Sequence, residues 1–281
     1  SLCGIDCYDP ADFSAGNLFA GGRGGPENKT KKKKKMILIT GNRMGIKKEK
    51  FGDRKDGIWI KESDPMHIFV PYLYPHRADC EAFISERIDL ENINRYLEEK
   101  NKGIEEDQYK LFHVILAAIV KTLTLRPKMN YFIKGYRTYK RPNVSLAFVV
   151  KKKFADNGSE ALAFLEFDGT TTIDAVKERV YAEINECRSD KIDNSTAGMG
   201  FFAKMPRWML RIAVWILHRL DTYGKVPYIL VKADPNYASV MISNLGSIGL
   251  KAGYHHLSNW GTNSIFVVMG EKKMSPVYDE D

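Results

Sequence analysis

Residues 108–126 constrain this chain most. Leu111, Phe112, Val114, Ile115, Leu116, Ile119, Val120 and Leu123 put apolar side chains around most of a helical circumference. Such a helix needs cover on nearly every side, so other layers must pack around it. Arg126-Pro127 stops it, because a residue before proline avoids helical backbone. The next segments can supply the cover. Residues 131–139 read as a hairpin pivoting near Gly135. Residues 144–150 and 161–167 read as strands by their length and their Val, Phe and Leu content. A turn at Ala155-Asp156-Asn157-Gly158 joins those two.

The flanking chain adds elements of both kinds. Residues 51–80 read as loop, punctuated by Asp53, Gly57, Pro65, Pro71 and Pro75. Residues 82–88 read as a strand. Asp89 then caps a helix carrying Ile93, Tyr96 and Leu97 on one face, ended by Lys102-Gly103. Thr171 and Asp174 have capping-box spacing and open a helix with Val176, Val180 and Ile184 inward. Residues 205–220 form another helix, closed by Tyr223-Gly224. Three late strands are expected at 228–233, 238–243 and 264–270. Strands and helices mix without strict alternation. The expected fold is therefore one α/β two-layer sandwich, a mixed β-sheet with helices packed on one face.

Composition decides what this body contacts. The 281 residues are 44% hydrophobic, enough for a sizeable core. The formal charge is +8, yet residues 23–55 alone hold 13 Lys+Arg against 3 Asp+Glu. The basic character is one N-terminal stretch on a near-neutral body. Residues 1–50 read as a flexible, basic stretch with Met36 or Met44 as alternative starts, and 51–281 as the folded domain. Gly21-Gly22-Arg23-Gly24-Gly25 resembles an RNA-binding segment in a single copy, so nucleic acid is not the expected partner. Residues 208–220 are too short, and too interrupted by Arg211, His218 and Arg219, to span a bilayer. No secretory signal is seen. Cys3, Cys7, Cys80 and Cys187 show no disulfide framework and no metal-ligand spacing, and fit a reducing cytoplasm.

The chemistry is concentrated at Val240-Met241-Ile242-Ser243-Asn244-Leu245-Gly246-Ser247-Ile248-Gly249. A strand delivers a Ser-Asn pair into a Gly-rich turn, and another strand ending at Gly270 follows. With Ile88-Asp89-Leu90, Arg126-Pro127-Lys128-Met129-Asn130 and the strand–helix run 161–188 in the same order, residues 80–271 resemble a known family. It is the catalytic domain of the dihydrolipoyl acyltransferases of 2-oxoacid dehydrogenase complexes, with chloramphenicol acetyltransferase as a relative. The resemblance implies a homotrimer with active sites between subunits. It implies coenzyme A as the acyl-carrying co-substrate and a lipoyl thiol or small molecule as acceptor. A serine hydroxyl stabilises the oxyanion in that family, and the matching position here is Ser243. The family's base lies in a His-x-x-x-Asp-Gly motif. Asp-Gly occurs here only at Asp56-Gly57 and Asp168-Gly169, preceded at the required spacing by Gly52 and Phe164. The resemblance therefore places that histidine beyond residue 281, and implies that 51–281 is a C-terminally incomplete acyltransferase-like domain, inactive by itself. A non-catalytic trimeric scaffold or binding protein of the same fold is the alternative.

Other residues have plainer readings. Asn244 and Asn130 are expected to shape turns. His255 and His256 are expected as ordinary loop histidines, since no carboxylate lies at a motif-like distance. His76 lacks a following Asp-Gly, and His113 and His218 are expected packed or solvent-bonded in helices. Lys151-Lys152-Lys153 reads as a solvated strand end, with coenzyme A phosphates as the alternative. The aromatic and basic helix 206–220 is expected to pack on the sheet or on a trimer neighbour rather than lie on a membrane.

Overall fold

The structure is a computed structural model that describes residues 51–61, 64–151, 160–188 and 205–276. The basic stretch 1–50, the turn at 155–158, Lys152 and Lys153 lie outside the described residues. In chain order the elements are β1 (Ile58–Trp59), α1 (Pro65–Leu73), α2 (Glu91–Lys100), α3 (Leu111–Leu125), β2 (Tyr131–Lys134) and β3 (Arg137–Lys140). There follow β4 (Val144–Lys151), β5 (Glu160–Phe167), α4 (Ile173–Arg188), α5 (Arg207–Thr222), α6 (Tyr228–Ala233), β6 (Val240–Asn244) and β7 (Ile265–Met269).

The main sheet has the order β5-β4-β6-β7. β4 runs antiparallel to β5, from Val144 opposite Phe167 to Lys151 opposite Glu160. β4–β6 and β6–β7 are parallel, so the sheet is mixed, as expected. Alternation sorts the side chains. Val144, Leu146, Phe148 and Val150 of β4, Ala163, Leu165 and Phe167 of β5, and Val240 and Ile242 of β6 face one core. Leu116, Val120 and Leu123 of α3 and Val176 and Val180 of α4 fill that core from above. The helix spacing of three and four puts each set on one stripe. The result is an α/β two-layer arrangement with α3 and α4 on one sheet face.

Several local expectations change. The single sheet is joined by a small antiparallel one, β1-β3-β2. The stretch expected as loop holds β1 and α1, with Pro65 at the first helical position and Asp64 Oδ1 accepting from the Met66 amide. Residues 228–233 form a helix, not a strand. A short, mostly apolar run of six residues fits either form by periodicity. Here the Leu230 and Val231 amides donate to the Pro227 carbonyl, which winds the run, and Val231 buries against Tyr237. Residues 82–88 are no strand either. No described strand edge pairs with them, and Ile84 stays 82% exposed. Strand-forming residues need a neighbouring edge as well as propensity. α4 is capped by Thr172, whose Oγ1 accepts from the Ala175 amide, while Thr171 bonds Asp168 instead.

His113 is buried in α3, as expected of a packed histidine, and only 2% exposed. Its Nδ1 accepts from the Lys110 amide. Burial, with Lys110 and Lys177 adding repulsion, pushes its pKa down from 6.5 to about 4. The folded value lies below the unfolded one, so the unfolded chain takes up the proton first on acidification. The stabilisation is complete above pH 6.5 and is lost as pH falls toward 4. At pH 5 this single group costs about 2 kcal/mol. Urea midpoints at pH 7 and pH 5 check this: His113→Phe removes that share of the acid loss.

Candidate active site

Ser243 lies on β6, an inner strand of the main sheet. Val240 and Ile242 point into the core, so Met241 and Ser243 face the opposite side. Ser243 stands beside Val268 of β7 in parallel register and is half-buried. The turn after it is tightly built. Asn244 Oδ1 accepts from the Ser247 amide at 3.2 Å, and Ser247 Oγ donates to the Asn244 carbonyl at 2.8 Å. Asn244 thus shapes the turn, as expected. Gly246 is required, because a Cβ there would fall on the Gly270 carbonyl oxygen. Gly249 closes the turn in the left-handed region, at φ 72°. The glycines let the ends of β6 and β7 approach, and the serine hydroxyl is held on a stiff frame.

The same sheet face borders a cavity of about 300 Å³. Met241 and Phe266 supply apolar wall, and Asn236, Asn263, His255 and His256 supply polar groups. The sequence reading of the two histidines needs correction here. A carboxylate does orient one of them, brought from far away in the chain. Glu81 Oε2 accepts from His256 Nδ1 at 2.6 Å, and Glu81 Oε1 accepts from the Leu257 amide at 2.5 Å. Burial pushes the Glu81 carboxyl up, but the Leu257 amide and His256 outweigh it and hold the group below its ordinary range. The Phe83 ring meets the His256 ring edge-on. His255 stacks on Phe266 with centroids 4.1 Å apart, its Nδ1 bonded to the His256 carbonyl.

A segment just before Glu81 locks this loop. Arg77 donates through its guanidinium to the Gly261 and Asn263 carbonyls, and its amide donates to Asn259 Oδ1. The exposed segment 82–88 is thus the continuation of a clamp on the 255–263 loop.

A buried charge network that sequence reasoning missed links α5 to the small sheet. Asp221, at the end of α5, is fully buried. Its carboxylate meets Arg54 at 3.0 Å, Lys134 at 2.6 Å and the Tyr237 hydroxyl at 2.9 Å. Arg54 also pairs with Asp56 at 2.8 Å. Arg141 donates to the Tyr237 and Thr262 carbonyls and lies over the Phe132 ring. Burial pushes Lys134 and Arg141 below their ordinary values and the Tyr237 hydroxyl above its own. The only sequence signal was a lone acid closing an apolar helix.

The remaining residues fall as follows. Asn130 Nδ2 donates to the Asn143 carbonyl, a structural role. His76 precedes a short 3-10 turn, and His218 lies exposed on α5 against the edge of Trp260. Lys151 ends β4. The aromatic face of α5 does not pack on the sheet: Trp208 and Trp215 are 65% and 63% exposed. The C-terminal end of that helix meets the small sheet through Asp221, which pairs with Lys134 of β2. Among the described residues no cluster of His, Cys, Asp or Glu could hold a metal ion, and no helix is long and apolar enough to cross a membrane.

No protein-family model and no curated protein sequence matches the chain. Solved structures are similar to it. Dihydrolipoamide acetyltransferase from Azotobacter vinelandii is 14% identical, over 80% of this chain and 77% of that one, with a TM-score of 0.49. A probable dihydrolipoamide acetyltransferase from Listeria monocytogenes is 13% identical, over 79% and 78%, with a TM-score of 0.47. Chloramphenicol acetyltransferase is 12% identical, over 64% and 67%, with a TM-score of 0.36.

Proposed function

We propose that this chain is an acyltransferase that moves an acyl group between coenzyme A, or a lipoyl thiol, and a thiol or hydroxyl acceptor. The observation that carries the reading is the placement of Ser243. Its hydroxyl sits at the end of an inner strand, on the sheet face away from the helices, in a turn rigid enough for preorganisation. The acceptor attacks the thioester carbonyl, and the carbonyl oxygen gains negative charge. Ser243 Oγ–H donates to that oxyanion. The C–S bond then breaks and coenzyme A leaves.

The working form is a homotrimer in a reducing cytoplasm. The exposed apolar residues of α1 and α5, among them Phe69, Tyr72, Trp208 and Trp215, support an oligomer, because isolated soluble chains rarely leave so much large apolar surface uncovered. Two measurements test the proposal. The chain extended C-terminally through the base histidine that the resemblance implies consumes the thioester when incubated with acetyl-CoA and dihydrolipoamide, and sedimentation equilibrium gives three times the mass of that chain. A trimer without thioester turnover transfers the conclusion to the non-catalytic scaffold. A monomer overturns the assembly.

A further inference from the structure

We propose that a small cavity beside Arg141 is a binding site for a phosphate group. The site stands apart from Ser243 and does not depend on the acyl-transfer reading.

Arg141 lies in the connector between β3 and β4 and is 5% exposed. Its Nη1 donates to the Tyr237 carbonyl, and its Nη2 donates to the Thr262 carbonyl and hydroxyl. All three acceptors are neutral. Among the described residues no carboxylate forms a salt bridge with Arg141, and its buried Nε has no hydrogen-bond partner. A buried charge calls for a counter-charge, and a buried donor calls for an acceptor.

The surroundings add to the surplus. Arg54, Arg77, Lys134 and Arg141 interact with one another, and the carboxylates acting on them are Asp56 and Asp221. Asp56 is already taken by Arg54, which donates to both of its oxygens. Asp221 holds Arg54 and Lys134. Arg141 is therefore the cation of this network that is left without a carboxylate of its own.

Arg141 lines a cavity of about 70 Å³, whose other charged lining residues are Lys55, Lys232, Asp56 and Glu166. With Asp56 held by Arg54, three cations stand against Glu166, which is exposed to water. Lys55 and Lys232 are also exposed, so they lie at the mouth, with Arg141 at the buried end. A phosphate dianion carries close to two negative charges and strong acceptor oxygens. It matches the surplus and gives the guanidinium the charged acceptor that a planar fork binds well. A carboxylate supplies half that charge. Size agrees: at roughly 10–15 Å³ for each water-sized group, a cavity of 70 Å³ holds about five, which suits one phosphate and not a nucleotide.

The cavity lies toward the other end of β6 from the serine. Ser145, part of its lining, exchanges hydrogen bonds with Ser239, whose amide donates to Ser145 Oγ at 2.9 Å. Ser243 is four residues further along, about 13 Å between Cα atoms.

The test titrates the full chain with inorganic phosphate in a calorimeter at constant ionic strength. One saturable site per chain is expected, with a Kd below about 1 mM. Arg141→Gln lowers the affinity about tenfold or more. The double variant Lys55→Ala with Lys232→Ala lowers it about fivefold and keeps the thermal midpoint measured without phosphate. Phenyl phosphate distinguishes the source of the group. Tighter binding of the ester assigns the site to the end of a larger molecule lying on exposed Tyr228, and tighter binding of the free anion assigns it to phosphate itself. No saturable binding overturns the proposal, and so does acetate bound as tightly as phosphate. Wild-type affinity in folded Arg141→Gln also overturns it, because phosphate then sits elsewhere, as on the basic stretch 23–55. If Arg141→Gln does not fold, the double lysine variant decides by the same criterion. Thioester turnover enters none of these readouts, so the outcome is independent of Ser243.

Discussion

Ser243→Ala is expected to lower kcat for acetyl-CoA by about 100- to 1,000-fold, equivalent to ~2.7–4 kcal/mol of transition-state stabilisation. The change removes one hydroxyl from an inner strand and leaves the Asn244–Ser247 turn intact. KM and the thermal midpoint should therefore change little. This pattern distinguishes an oxyanion donor from a packing residue. A packing residue would lower the midpoint and leave the rate of the folded fraction alone. Steady-state kinetics beside a thermal melt separate the two, and an unchanged kcat sinks the oxyanion role.

The second large effect is on stability. Asp221→Asn is expected to cost about 3–5 kcal/mol, because removing one partner of a buried ion network leaves the others uncompensated. Arg54 keeps Asp56, but Lys134 loses the one carboxylate it meets in a salt bridge among the described residues. Burial already holds Lys134 below its ordinary pKa, so the variant can relieve part of the strain by releasing that proton. Urea unfolding at pH 7 reads the loss directly. A change below about 1 kcal/mol would mean that Asp221 is not what joins α5 to the small sheet.

Much of the main layer could be read from the residues. The helix at 111–125, the hairpin at Gly135, the paired strands β4 and β5 and the alternating strand through Ser243 all announce themselves by period. The strands alternate with a repeat of two, and the helix is apolar around most of its circumference. The errors fall where the period is ambiguous or a partner is needed. Residues 228–233 are too short to distinguish helix from strand. Residues 82–88 have strand-like composition but no edge to join. The turn chemistry of 243–249 was legible because Gly246 and Asn244 act locally.

The sequence by itself determined the α/β class, the core stripe of α3 and α4, and the placement of Ser243 at a strand end, since those follow from local pattern and burial. Only the tertiary structure decided what surrounds His256. Glu81 lies 175 residues away in the chain, and no spacing rule connects them. Arg77 brings the two together by binding the carbonyls of the 255–263 loop, a contact made of long-range backbone acceptors that no side-chain pattern encodes. The same holds for Asp221, Arg54 and Lys134, whose pairing depends on three separate elements converging in a place that excludes water.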